Sequence, residues 1–169
     1  MKSKFRVTIL VIGLTIFSYH SFCQDLTKGS DLLIVLLKNA GAGNKKLFLM
    51  FGWEGCKWCR VFDQYHHDRK VKAILDRYYM IVNLDIYKSK AGEALYKVYG
   101  KQGTPSWTIF DSNRMVLADC DNGKGNIGYP VTEDELAYYI SVIRKTTPGI
   151  SQVKYDKLIT KLKEYKEKK

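Results

Sequence analysis

The sequence predicts an α/β protein in which a mixed central sheet is flanked by helices, with an extra helix at each end. Three observations carry that expectation. "KKLFLMFG" (residues 45–52) is a short continuous apolar run bounded by turn residues, the pattern of a strand buried on both faces. "SWTIF", "DSN" and "RMVLADC" (residues 106–120) read as strand, turn and strand, so one pairing is antiparallel. Between and beyond these runs lie stretches with apolar residues at helical spacing, and strands alternating with helices imply layers.

The elements follow in order. Ser30 before "DLLIVLLKNA" offers a cap for a helix that Gly-Ala-Gly-Asn at 41–44 stops. The first strand leads into "FGWEGCKWCRVFD", where Trp58, Val61, Phe62 and Tyr65 recur at i, i+3, i+4, i+7. That spacing starts a helix at or near Cys56. A second helical stretch, Val71 to Tyr78, precedes the strand "YMIVNLDIY", and "SKAGEALYKVYG" is a helix ended by Gly100. After the hairpin and a Gly-rich connection, Thr132-x-x-Glu135 is a capping box opening a helix with Leu136, Tyr139, Ile140 and Ile143. "TTPG" breaks it, and a basic amphipathic helix ends the chain.

With 169 residues and 46% hydrophobic content, one core is expected. Lys2, Lys4 and Arg6 precede an apolar run from Val7 to Phe17, and the polar stretch after it ends Ser21-Phe22-Cys23. This reads as a secretory signal peptide over residues 1–23, because the run falls well short of the roughly twenty residues of a spanning helix. Phe22 argues against lipid attachment at Cys23. The expected division is thus a leader (1–23), a domain (24–146) and a basic C-terminal helix (147–169), in a protein exported to the periplasm or cell envelope. Of the net charge of +11, much lies in "KYDKLITKLKEYKEKK", seven Lys against three acids. Lys interleaved with Leu158, Ile159, Leu162 and Tyr165 is the solvated face of an amphipathic helix, so no nucleic-acid partner is expected.

Once the leader is removed, Cys56, Cys59 and Cys120 remain, in a compartment where a close pair oxidises readily. Three readings compete for Cys56 and Cys59. A structural zinc site needs four ligands, and only Cys120 and the adjacent His66 and His67 are on offer, so no metal is expected. A purely structural disulfide closing so short a loop would constrain the unfolded chain little. The redox reading explains more. Unpaired N–H groups at a helix start stabilise a thiolate, and cysteines so placed fall from a pKa of about 8.5 to roughly 3.5–7.5. Lys57 adds a nearby positive charge, and Cys59, inside the helix, is placed to release a mixed disulfide formed at Cys56.

"LFLMFGWEGCKWC", then "GTPSW", then "GY" and a capped helix, resembles the thioredoxin superfamily over about residues 30 to 145, most closely its exported disulfide-reductase-related members. The resemblance implies a thioredoxin fold and a protein-disulfide oxidoreductase that needs no cofactor. In that family the first cysteine attacks a substrate disulfide, the second resolves it, and a cis proline packs against the pair. Those roles fall on Cys56, Cys59 and Pro105, with Thr104 offering backbone contacts to a bound peptide and Trp58 lining the substrate surface. The implied partners are protein disulfides and dithiols, and a membrane electron-donor protein would recycle a monomer. Four positions depart from the pattern: Met50 stands where family members often bury an acid, Gly55 where a tryptophan often precedes the first cysteine, and Lys57 and Trp58 in place of Gly-Pro. They leave the direction of exchange open.

Other residues invite weaker readings. Glu54 is a candidate proton acceptor in place of the missing acid. His66 and His67, in "QYHHDRK", are expected as solvent-facing loop residues. In "MVLADC" alternation sets Val116, Ala118 and Cys120 on one face, toward the core. Trp53, Trp58 and Trp107 are expected to pack in the core or to gather near the pair. Two other function classes stay open: a redox-inactive peptide-binding or chaperone module, and a copper-handling protein using the Cys-x-x-Cys pair.

Overall fold

The computed structural model describes residues 28–167, so the expected leader lies outside the described residues. Helix α1 occupies residues 28–42. It is already helical at residue 28, so Ser30 lies inside it and does not cap it. Its end is closed by Asn44 at φ 51° and by the Lys45 N–H donating to Ala40 O at 2.9 Å, the wrap-around bond of a left-handed helix stop.

Strand β1 (Lys46–Gly52) is the centre of the molecule. The sheet order is β2-β1-β3-β4: β2 (Tyr79–Asp85) runs parallel to β1, while β3 (Ser106–Phe110) is antiparallel to β1 and β4 (Val116–Asp119) antiparallel to β3. The continuous apolar run in β1 has a direct cause. Leu47, Leu49 and Phe51 face the layer of α1 and α4 (Lys90–Tyr99), with Leu33, Leu37 and Leu95. Phe48 and Met50 face the opposite layer, with Phe62, Tyr65, Trp107 and Tyr139. Both faces are covered, so residues 47–51 are all buried and all apolar.

That second layer comprises α2 (Lys57–His67), α3 (Arg69–Leu75), α5 (Glu133–Thr146) and α6 (Gln152–Glu167). Asp68 ends α2 and caps α3, its Oδ1 accepting from the Lys70 and Val71 N–H groups. Helix α3 stops at Leu75, three residues short of the expected Tyr78, because residues 76–78 turn the chain into β2. The capping box of α5 forms as expected: Thr132 Oγ1 accepts from Glu135 N–H, and Glu135 Oε2 accepts from Thr132 N–H.

Cys120 is fully buried, as alternation predicts, yet Val116 is 46% exposed. A register shift between Ile109 and Phe110 sets Ile109 opposite Ala118 but Phe110 opposite Val116, so Leu117 is skipped and the alternation breaks there. The C-terminal helix does more than present lysines to solvent. Tyr155, Leu158 and Leu162 are buried in the same cluster as α2 and α5. Three tyrosine hydroxyls cross this interface: Tyr65 donates to Leu158 O at 3.5 Å, Tyr129 to Leu162 O at 2.5 Å and Tyr155 to Ile140 O at 2.8 Å.

Candidate active site

The chain leaves β1 at Gly52 and turns through residues 53–55, closed by the Cys56 N–H donating to Trp53 O at 3.0 Å. Cys56 is the N-cap of α2, with extended backbone (φ −76°, ψ 108°). Its Sγ accepts from the Cys59 N–H at 3.1 Å, taking the place that a Ser or Asp oxygen fills in ordinary caps. That donor would stabilise a thiolate on Cys56. No acidic residue lies in the first turn of α2 to oppose it. Cys56 and Cys59 form a disulfide, with Cα atoms 5.2 Å apart, and each residue is 8% exposed.

Two glycines make the close packing possible. A Cβ on Gly52 would stand 2.9 Å from Cys59 Sγ, so the second cysteine rests on the strand backbone itself. A Cβ on Gly55 would collide with the Trp53 ring at 1.9 Å. The indole therefore lies directly against Gly55, and any side chain at that position would have to displace it. Trp53 stays 42% exposed, edge-on to the exposed Tyr87 at 5.8 Å.

The antiparallel register sets Phe51 opposite Ser106, so the cysteine loop and the segment before β3 leave the sheet at the same end. There the Thr104–Pro105 bond is cis, Pro105 is buried and Thr104 half-buried. Asn126 and Gly128 hold this segment from outside. Asn126 Nδ2 donates to Pro105 O and to Gln102 O, both at 3.1 Å, and a Cβ on Gly128 would stand 2.9 Å from Pro105 O. Gly128, at φ 52°, also accepts from Trp107 Nε1 at 2.9 Å. Next to it, Tyr129 stacks on Trp58 with centroids 5.2 Å apart. The proline segment is thus linked to α2 through Gly128, Tyr129 and Trp58. Sequence reading missed this clasp, although Asn-x-Gly in a Gly-rich connection is a turn signal.

The three tryptophans part company: Trp58 and Trp53 flank the loop, while Trp107 is fully buried. Glu54 is exposed, and its carboxylate pairs with Lys88 Nζ at 2.6 Å, whose hydrogen bond and charge hold it below the usual glutamate range. Burial pushes the Cys120 thiol up, and its partner is Ser106 Oγ at 3.3 Å. His66 corrects the loop assignment: it belongs to the last turn of α2, buried between Phe62 and Phe48, and neither ring nitrogen has a hydrogen-bond partner among the described residues. His67 is exposed, as expected, but it too belongs to α2 and not to a loop. Beside Cys59 opens a cavity of about 390 Å³, lined among others by Met50, Trp53, Arg60, Asp63 and Asn83. Among the described residues no three His, Cys, Asp or Glu side chains gather as metal ligands, and no helix is long and apolar enough to cross a membrane.

No protein-family model and no curated protein matches the sequence. Solved structures do. A disulphide isomerase from Xylella fastidiosa Temecula1 superposes with a TM-score of 0.53 at 19% identity, covering 68% of this chain and 90% of that one. A thioredoxin-fold protein from Helicobacter pylori gives 0.44 at 17% identity, over 72% and 84% of the two chains. A DsbH oxidoreductase gives 0.48 at 21% identity, over 66% and 78%. Strand order, helix placement and the first of these superpositions agree: the chain has the thioredoxin fold, with a Cys-x-x-Cys disulfide at the start of its second helix.

Proposed function

We propose that the chain exchanges thiols and disulfides with protein partners. The reduced Cys56 attacks a partner disulfide, and Cys59 then closes on Cys56 and releases the partner as a thiol. The carrying observation is the Cys59 N–H aimed at Cys56 Sγ on the N-cap of α2, at the sheet end that also carries the cis Thr104–Pro105 bond. In this reading the backbone at Thr104 and the half-buried Trp58 receive an extended peptide, with the buried Pro105 shaping the site between them. The disulphide isomerase from Xylella fastidiosa Temecula1 shares this fold, which is compatible with the reading. The leader supports export to the periplasm or envelope, with residues 24–146 as the working domain and a membrane electron donor restoring the pair.

The test is insulin reduction driven by dithiothreitol. Wild type should shorten the lag before precipitation, and Cys56→Ser should fall to the uncatalysed rate. Equal, near-background rates for both would favour the second reading, a peptide-binding module. The observation behind that reading is the 8% exposure of each cysteine beside the exposed Trp53 and Tyr87.

A further inference from the structure

Closing a mixed disulfide requires Cys59 to lose its proton, and Met50 and Gly52, the strand residues on its side of the cavity, offer no acceptor. Three carboxylates lie near the pair. Glu54 is held by Lys88 out in solvent. Asp85 lines the cavity, but its Oδ1 accepts from the Tyr87 and Lys88 N–H groups and so serves the turn after β2. Asp63 lines the same cavity as Cys59, and the two are four residues apart on α2, which puts their Cβ atoms about 5–6 Å apart on one face. Asn83 Nδ2 donates to Asp63 Oδ1 and orients the carboxylate from the neighbouring strand. The cavity, about 390 Å³, has room for several waters, each taking roughly 30 Å³.

We propose that Asp63 is the proton acceptor and donor for Cys59, acting through water in this cavity and positioned by Asn83. The inference rests on the exchange reading above. In the resolving step the Cys59 S–H proton passes through water to Asp63. The Cys59 thiolate then attacks Cys56 Sγ, the Cys56–Cys59 bond forms, and the bond from Cys56 to the partner sulfur breaks. The partner leaves as a thiolate and takes up a proton. Two electrons have moved from the pair to the partner disulfide. In the reverse direction the protonated Asp63 returns its proton to Cys59 as that sulfur leaves. The other charged groups at this place are Arg60, whose Nη1 donates to Glu54 O at 2.8 Å, and His67, whose Nδ1 lies 3.4 Å from Asp63 Oδ1.

The test uses the reduced full chain and dithiobis(nitrobenzoate), a small aromatic disulfide, followed by stopped flow. Attack by Cys56 releases one coloured thiolate, and closure by Cys59 releases a second. Asp63→Asn keeps an oxygen for Asn83 and removes the basic group. It should leave the first phase unchanged and slow the second by roughly tenfold or more near pH 6. The gap should close as pH rises and Cys59 ionises unaided, and Asp63→Glu should restore part of the rate. His67→Gln should leave the second phase unchanged. Second phases equal in wild type and Asp63→Asn at every pH would overturn the assignment. So would a loss shared by both phases and indifferent to pH, or a second phase lost in Glu54→Gln and kept in Asp63→Asn. No release in either phase from wild type would overturn the exchange reading and this inference with it.

Discussion

At the scale of single residues, His66 is the clearest case of a side chain whose environment the sequence conceals. "QYHHDRK" is polar and looks like a loop, yet Asp68 caps the next helix, so α2 runs on to His67. The signal was present: His66 stands four residues after Phe62 and falls on the same buried face. Burial depresses its pKa from 6.5 to about 3, so the folded protein keeps it neutral. The unfolded chain binds a proton there and the folded one does not, so this stability is present in full above about pH 6.5 and falls away as pH drops toward 3. The slope is at most about 1.4 kcal/mol per pH unit. Urea unfolding at pH 7 and pH 5 should therefore show wild type losing roughly 2 kcal/mol more than His66→Phe, which keeps the stacking on Phe62. Equal losses would mean that the ring finds a proton partner in the fold. The helix-start position of the pair, by contrast, was legible from local spacing, whereas the cis form of Pro105 was implied by the family resemblance alone.

At the scale of elements, periodicity identified faces but not what covers them. The buried stripe of α6 was readable as Leu158 and Leu162, while its cover, formed by Tyr65, Tyr129 and Ile140 from distant segments, was not. Strand β4 shows the opposite failure: alternation held at Cys120 and broke at Val116, because a bulge depends on the partner strand. Leu162→Ala tests how firmly α6 belongs to the core. Leu162 is buried, and its truncation should cost about 2–4 kcal/mol in equilibrium unfolding followed by circular dichroism. A loss under about 1 kcal/mol would make α6 a detachable appendage whose contacts are marginal.

At the scale of the whole molecule, the layer order followed from the order of apolar runs, but the clasp of Asn126 and Gly128 and the cavity beside Cys59 join residues far apart in the chain. No short window of sequence contains them. The same long-range closure sets how the molecule comes apart. Strand β1 has a neighbour along each edge and a helical layer on each face, so its amides can meet solvent only when the surrounding structure opens. In deuterium labelling under native conditions, residues 47–51 should be the last to exchange, and rates there matching those in α4 would refute this. The redox loop is rooted in that strand through Gly52. Partial melting of the outer helices would thus leave the sulfur pair anchored, and catalytic power should outlast the first losses of helical signal on warming.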